Sequence, residues 1–256
     1  MPDRPMVSMI VPTYNERERL EHFNRALVGV LRDARIDGEI VIVDDNSPDG
    51  TGDLADGLAR ELPVRVVHRA GKLGLGSAVM AGFAIARGDV LGVMDADVSH
   101  PPARVPVLVA ALQETGADVV VGSRYIPGGG TKNWPLARSV MSRTACLVAR
   151  LVTPVHDAAS GFFVLRRPVI QGVAIKAAGF KICLELLVRG TVRSVVEVPY
   201  VFSDRAAGQS KMNHREALGF LVQIGQLFRW RLRERKPRPS CRRLSPEQAD
   251  RLAARA

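Results

Sequence analysis

The sequence predicts an α/β protein with a mostly parallel sheet, on three observations. Short apolar, β-branched runs recur through the first half, segments with helical spacing separate them, and a polar or glycine-rich turn follows each run. Such alternation builds a mostly parallel sheet covered by helices. VSMIVP (7–12) supplies the first strand and residues 17–35 the first helix. EIVIVDD (39–45) and 51–61 form the second pair, VRVVHR (64–69) and 75–87 the third, DVLGVMDAD (89–97) and 105–115 the fourth. DVVVGSR (118–124) is the fifth strand.

Beyond it the alternation weakens. Residues 127–134 read as a glycine-rich loop, 135–152 as an amphipathic helix, SGFFVLRR (160–167) as a strand, 180–189 as a helix and SVVEVPYVF (194–202) as a strand. SDRAAGQSKMN (203–213) is a polar, flexible loop, and 216–233 a last helix. The organisation expected is one globular domain over 1–213, an amphipathic helical segment over 214–235, and a basic, largely disordered tail over 236–256. A short helix in that tail is capped at Ser245 and begun by Pro246.

Composition narrows the function classes. At 46% apolar, 256 residues fill one domain. Cys146, Cys183 and Cys241 are far apart and lack a C-x-x-C spacing, so neither a disulfide framework nor a zinc site is supported; a reducing, cytoplasmic compartment is expected. The apolar run after Arg4 is shorter than a secretory core, and no window reaches the roughly 18 apolar residues of a membrane span. Net charge is +10, but residues 229–256 carry ten Lys or Arg against three acids, which leaves +3 for the rest. A basic tail suits nucleic acid or an anionic membrane surface. Nucleic-acid binding by the domain is disfavoured, because aromatic content is 5% and the excess charge lies in the tail.

In parallel sheets the ligand crevice lies beyond the carboxyl ends of the strands. Five polar or glycine-rich segments stand there: PTYNE (12–16), DDNSPDGT (44–51), AGKLGLG (70–76), DADVSH (95–100) and GSRY (122–125). Asp95 and Asp97 are one residue apart after a buried run, where two like charges repel unless a cation joins them. Mg²⁺ takes one or two carboxylates and completes its shell with water and phosphate oxygens, so D-x-D suggests a metal holding a nucleotide diphosphate. Capping of the following helix accounts for one Asp but not both. Asp44 and Asp45 form a second acidic pair, suited to a base or ribose hydroxyl; Asp49 reads as a helix-capping acid.

PTYNE, VDDNSPDGT, GLGSAVMAGF, MDADVSHPP, GSRY, NWPLARSVMSR, DAASGFFVLRR, GFKICLELLVRG and VVEVPYVFSDRAAGQSKMN follow in this order from about Val7 to Asn213. Together they resemble the polyprenol-phosphate (dolichol-phosphate) mannose synthases, inverting enzymes of glycosyltransferase family 2 with the GT-A fold. The resemblance implies transfer of mannose from GDP-mannose to a polyprenyl phosphate with Mg²⁺ or Mn²⁺. UDP-glucose or another nucleotide sugar is the alternative donor. It implies that Pro12, Tyr14, Glu16, Val43 and Asp45 hold the nucleoside. Asp95 and Asp97, with Ala96 between them, hold metal and donor, and Ser99 is a third metal position where some members carry Gln. Arg124, Arg205 and Lys211 match cations around the diphosphate and lipid phosphate and, with Asp97, form the catalytic set. Arg138 and Ser142 match acceptor-phosphate contacts, and Lys181 is a further donor contact.

A phosphate acceptor is already anionic, with a second pKa near 6, so no general base is expected and His100 reads as a supporting residue. The segments 135–152 and 216–233 combine apolar, aromatic and basic residues as interfacial helices do. Peripheral attachment to the inner face of the cell membrane is therefore expected.

Overall fold

The computed structural model describes residues 7–175, 181–203 and 214–255. The first half runs β1 (Val7–Thr13), α1 (Arg17–Asp33), β2 (Gly38–Asp44), α2 (Thr51–Leu58), β3 (Val64–His68), α3 (Leu75–Ile85), β4 (Val90–Val93), α4 (Val105–Thr115) and β5 (Val119–Ser123). The second half adds β6 (Gly130–Lys132), α5 (Leu136–Ala149), β7 (Phe163–Arg166), α6 (Ile182–Arg189), β8 (Ser194–Pro199), β9 (Val201–Ser203), α7 (His214–Arg233), β10 (Ser240–Arg243) and α8 (Pro246–Ala253). Eight strands form one sheet in the order β10-β8-β5-β7-β4-β1-β2-β3. Its neighbours pair in parallel except β7, which lies antiparallel between β4 and β5. The expected mostly parallel α/β sheet is thus present.

Strand side chains alternate between faces, and here both faces are covered. Val7, Met9 and Val11 of β1 and Ile40 and Ile42 of β2 enter the layer with α1, α2, α4 and α8; Ile10, Val41 and Val43 enter the layer with α3, α6 and α7. This two-sided burial is why the strands read as continuous apolar runs. Helix α1 buries Leu20, Phe23, Leu27 and Leu31, a stripe at helical spacing, and each such fully buried side chain contributes about 1.5–3 kcal/mol. Gly82 lets α3 lie close to β1, since a Cβ there would stand 2.6 Å from Ile10 Cγ2.

Four expectations change. Strand β4 ends at Val93, so Asp95 and Asp97 occupy a loop beyond the sheet edge rather than the strand. The glycine-rich loop contains β6, which pairs in parallel with β9 as a separate small sheet. The run 194–202 is accordingly two strands. Tyr200 is the joint: its N–H donates to Ser123 O and its carbonyl accepts from Gly130 N, both at 3.1 Å, passing the chain from one sheet to the other.

The tail is the fourth correction. Instead of a largely disordered 236–256, β10 pairs with β8 at the sheet edge, and α8 packs on α4 with Ala249 and Leu252 buried. Charge density argued for disorder, but Leu244, Ala249 and Leu252 supply an apolar face that the core accepts. Three of the basic residues serve carbonyls left at helix ends. Arg231 Nη1 donates to Val152 O at 2.8 Å and Arg238 Nη2 to Leu151 O at 2.6 Å, both just past α5. Lys236 Nζ donates to Arg189 O at 2.8 Å at the end of α6. The expected Ser245 cap is present as a reciprocal box with Gln248.

Candidate active site

The parallel strands β1, β2, β4 and β5 point their carboxyl ends to one edge, where the polar loops collect. After Val93 the chain turns out of the sheet through residues 94–100. Val98 has φ 62°, a left-handed conformation costly for a β-branched residue, and it lies in the middle of the acidic loop. The turn is closed by Asp97 Oδ1, which accepts from Ser99 N at 3.0 Å and from the Ser99 hydroxyl.

Asp95, Asp97 and His100 bring one ligand atom each within 4.8 Å of one another. The two carboxylates offer the oxygen ligands that Mg²⁺ or Mn²⁺ takes, and they fit such an ion. Ser99, the expected third position, turns its hydroxyl to Asp97, and beside them His100 Nδ1 accepts from Asp95 N at 3.4 Å. His100 is buried among the rings of Phe162, Tyr200 and Phe202 at centroid distances of 5.3, 5.7 and 5.4 Å. Burial pushes its pKa down to about 4 against the opposing pull of Asp97. A neutral imidazole is the form that ligates a metal.

On the β1–β2 side, Pro12 pairs with Val43 and Thr13 with Asp44 across the strands. Val43 and Ala96 have buried side chains, so only their backbone can meet a ligand. Tyr14 is exposed, with Lys72 Nζ 4.2 Å above its ring. Glu16 lies beside it, its N–H donating to Thr51 Oγ1 at 3.0 Å. The two acids of the second strand have different duties. Asp44 accepts from Ser47 N at 3.0 Å and Ser47 Oγ at 2.5 Å and so closes its own turn. Asp45 faces Arg69, with Oδ1 2.8 Å from Nη1. Burial pushes the Asp45 carboxyl up, against the downward pull of Arg69. Arg69 Nη2 also donates to Ser77 Oγ at 2.6 Å, tying Asp45 to the start of α3.

The cationic corner is more committed than expected. Arg124 is buried and forked onto Asp157, with Nε to Oδ2 and Nη2 to Oδ1 both at 2.7 Å and its own N–H to Oδ2 at 2.9 Å. Asp157 N donates to Glu197 Oε1 at 3.1 Å, and Glu197 Oε2 lies 2.8 Å from His156 Nδ1. Arg138 stacks 4.1 Å over Trp134, which packs edge-on against Phe202. Ser142 Oγ accepts from Tyr125 OH at 2.6 Å. Lys181 precedes α6; burial and Arg124 push its pKa down while Asp95 pulls it up, so it shares the field of the acidic loop. Arg205 and Lys211 lie outside the described residues.

The structure therefore gathers Asp95, Asp97, Ser99, Arg124 and Lys181 in one region and Pro12, Tyr14, Glu16 and Asp45 along the neighbouring edge. His100, read from the sequence as a supporting residue, stands near both acids in the same loop, three residues from Asp97. Arg69, Lys72, Asp157 and Glu197 are given no role from the sequence. Arg69 follows a strand as the named residues do; Asp157 opens the DAASGFFVLRR motif and Glu197 lies in VVEVPYVF, but no spacing along the chain pairs them with Arg124 and His156.

The model of the family described as glycosyl transferase family 2 matches residues 8–173. A dolichol-phosphate mannosyltransferase of Pyrococcus furiosus is 44% identical over 228 residues, covering 88% of this chain and 64% of that protein. The chain thus spans slightly under two thirds of that relative. A polyprenol monophosphomannose synthase of Mycolicibacterium smegmatis is 43% identical over 85% of this chain and 86% of its own. Among solved structures, a mannosyl-3-phosphoglycerate synthase of Rubrobacter xylanophilus aligns with TM-score 0.62 at 19% identity, over 91% of this chain and 76% of that one. A mannosyltransferase of Pyrobaculum calidifontis in complex with GDP-Man and Mn²⁺ aligns with TM-score 0.58 at 19% identity, over 99% and 69%. These likenesses identify the fold as GT-A.

Proposed function

The chain belongs to glycosyltransferase family 2, and from that premise we propose that it transfers mannose from GDP-mannose to a polyprenyl monophosphate. The products are polyprenyl-phosphate mannose and GDP. The observation that carries this reading is the Asp95, Asp97 and His100 cluster at the carboxyl edge of the sheet, in a chain 43% identical to a polyprenol monophosphomannose synthase.

A phosphate oxygen of the acceptor attacks the anomeric carbon as the bond from that carbon to the GDP oxygen breaks, with inversion. The acceptor is already ionised, so the step needs no proton acceptor. His100, held neutral with a pKa of about 4, is accordingly a poor base and a good ligand. Asp95 and Asp97, with His100 beside them, would hold Mg²⁺ or Mn²⁺, which when bound would supply charge stabilisation to the departing diphosphate. Ser99 orients Asp97. Tyr14, Glu16 and Asp45 hold the nucleoside, with Pro12, Val43 and Ala96 contributing backbone. Lys181, Arg205 and Lys211 balance the phosphate charge, and Arg124, neutralised by Asp157, orients rather than adds net charge. Arg138 and Ser142 receive the acceptor phosphate.

The acceptor places the reaction at a membrane surface. Among the described residues no helix is long and apolar enough to cross a membrane. Helix α5 exposes Leu136, Val140 and Leu147, with Leu151 just beyond it, and α7 exposes Leu221, Phe228 and Leu232 while burying Ile224 and Leu227. The two helices touch, which supports peripheral docking through one shared apolar face on the cytoplasmic side of the membrane.

The test is incubation with polyprenyl phosphate, Mg²⁺ or Mn²⁺, and radiolabelled GDP-mannose or UDP-glucose, scoring label in an organic extract. Label from GDP-mannose alone is expected. Label from UDP-glucose alone would replace the donor, and label from neither would overturn the reading.

A further inference from the structure

Glu197, in β8, is fully buried and lies outside the residues assigned to donor, metal or acceptor. Its Oε1 accepts from Asp157 N at 3.1 Å, and its Oε2 accepts from His156 N at 3.1 Å and lies 2.8 Å from His156 Nδ1. Both backbone donors belong to a turn between α5 and β7 that joins neither sheet. One carboxylate thus does for this turn what a ladder of backbone bonds does for a strand. From the other side β10 closes over the same residue: Cys241 Sγ donates to Oε2 at 3.6 Å, and Leu244 N to Glu197 O at 2.9 Å. A carboxylate withdrawn from water carries a desolvation cost that its hydrogen bonds must offset, and here those bonds fix the turn and the tail strand.

What the turn carries is Asp157, whose Oδ1 and Oδ2 hold Arg124 Nη2 and Nε, both at 2.7 Å. Arg124 directly follows β5, and Glu197 stands opposite Val121 in the pairing of β5 with β8. The strand that ends before Arg124 and the strand that carries Glu197 are therefore one frame. With Nε and Nη2 taken by Asp157, Nη1 is the part of the fork that bonds no described residue and is left for a phosphate oxygen. We infer that Glu197 is a positioning residue of the transfer reaction: it sets the 156–157 turn and, through Asp157, the place of Arg124, without touching either substrate. The inference rests on the proposed transfer, in which Arg124 orients the phosphates. Placement matters there, because a misplacement of about 1 Å costs on the order of 100-fold in rate.

The experiment uses Glu197→Gln, because the amide nitrogen donates and so faces an N–H of the turn, donor against donor. Glu39 is the control. It is a buried carboxylate near the start of β2, accepting from Ser8 Oγ at 2.8 Å and Arg87 N at 2.7 Å, at the opposite end of the strand from the carboxyl edge. Both Gln variants should lose stability. Only Glu197→Gln should lower kcat, on the order of 100-fold, in transfer assays run where circular dichroism shows every variant folded. In an Arg124→Lys background Glu197→Gln should cost little more, since residues that act through one another are non-additive. The Arg124 Nε–H signal in heteronuclear NMR, assigned by its loss in Arg124→Lys, should shift in Glu197→Gln and hold in Glu39→Gln. Glu197→Asp, which keeps the charge but shortens the side chain, takes the same measurements should the Gln variant not fold. An unmoved Arg124 signal, a kcat that equals wild type or falls as far in Glu39→Gln, or additive losses with Arg124→Lys overturns the inference. If wild type transfers neither sugar, the proposed function falls, and the Arg124 signal alone decides whether Glu197 places that side chain.

Discussion

Asp97 shows how one side chain takes two duties. Its Oδ1 accepts from the Ser99 N–H at 3.0 Å and from the Ser99 hydroxyl, while the carboxylate remains in the cluster with Asp95 and His100. In the proposed site Ser99 would act on a metal through Asp97. Ser99→Ala should lower Mn²⁺ affinity roughly 10–100-fold while kcat at saturating metal stays near wild type, as measured by metal titration of turnover. A proportional fall in kcat would make the hydroxyl a direct participant. Asp157→Asn tests the cationic corner: it leaves the buried Arg124 guanidinium without its counter-charge and should cost about 3–5 kcal/mol in urea unfolding. The resemblance picked out Arg124 because its cation matches the motif. Asp157, on a separate loop 33 residues on, could not be paired with it from sequence, since ion pairs between distant segments have no spacing rule.

At the scale of elements, patterns that depend on local sequence came through and those that depend on partners did not. Helix α4 spans Val105–Thr115 as its apolar spacing predicts, and the Ser245 cap opens α8 at Pro246. Ser245→Ala should cost about 1 kcal/mol, and Leu252→Ala about 2–5 kcal/mol, both read from chemical denaturation. A tail that were disordered would be indifferent to both. Strand β10 is four residues, Ser240–Arg243, with a charged pattern; only the waiting edge of β8 makes it a strand, and it covers that edge in return. The split between β8 and β9 has the same cause, because Ser123 and Gly130 claim the two backbone groups of Tyr200.

For the whole molecule, the two helices expected at a bilayer share the layer of the core opposite α1, and α7 divides its apolar residues between core and surface. Leu151→Ser/Leu232→Ser, which removes two exposed leucines, should reduce flotation with anionic vesicles and slow transfer to a long-chain acceptor. Transfer to a short, water-soluble acceptor should be unchanged. Equal flotation would move the docking face elsewhere. The sequence by itself determined the α/β alternation, the carboxyl edge as the place of the site, and the acidic loop, because burial on both faces and a crevice at strand ends follow from patterns along the chain. Only the tertiary structure decided that His100 stands within 4.8 Å of Asp95 and Asp97, that Arg124 is neutralised by Asp157, and that the basic tail is part of the sheet. Those outcomes depend on which distant groups meet in the folded chain.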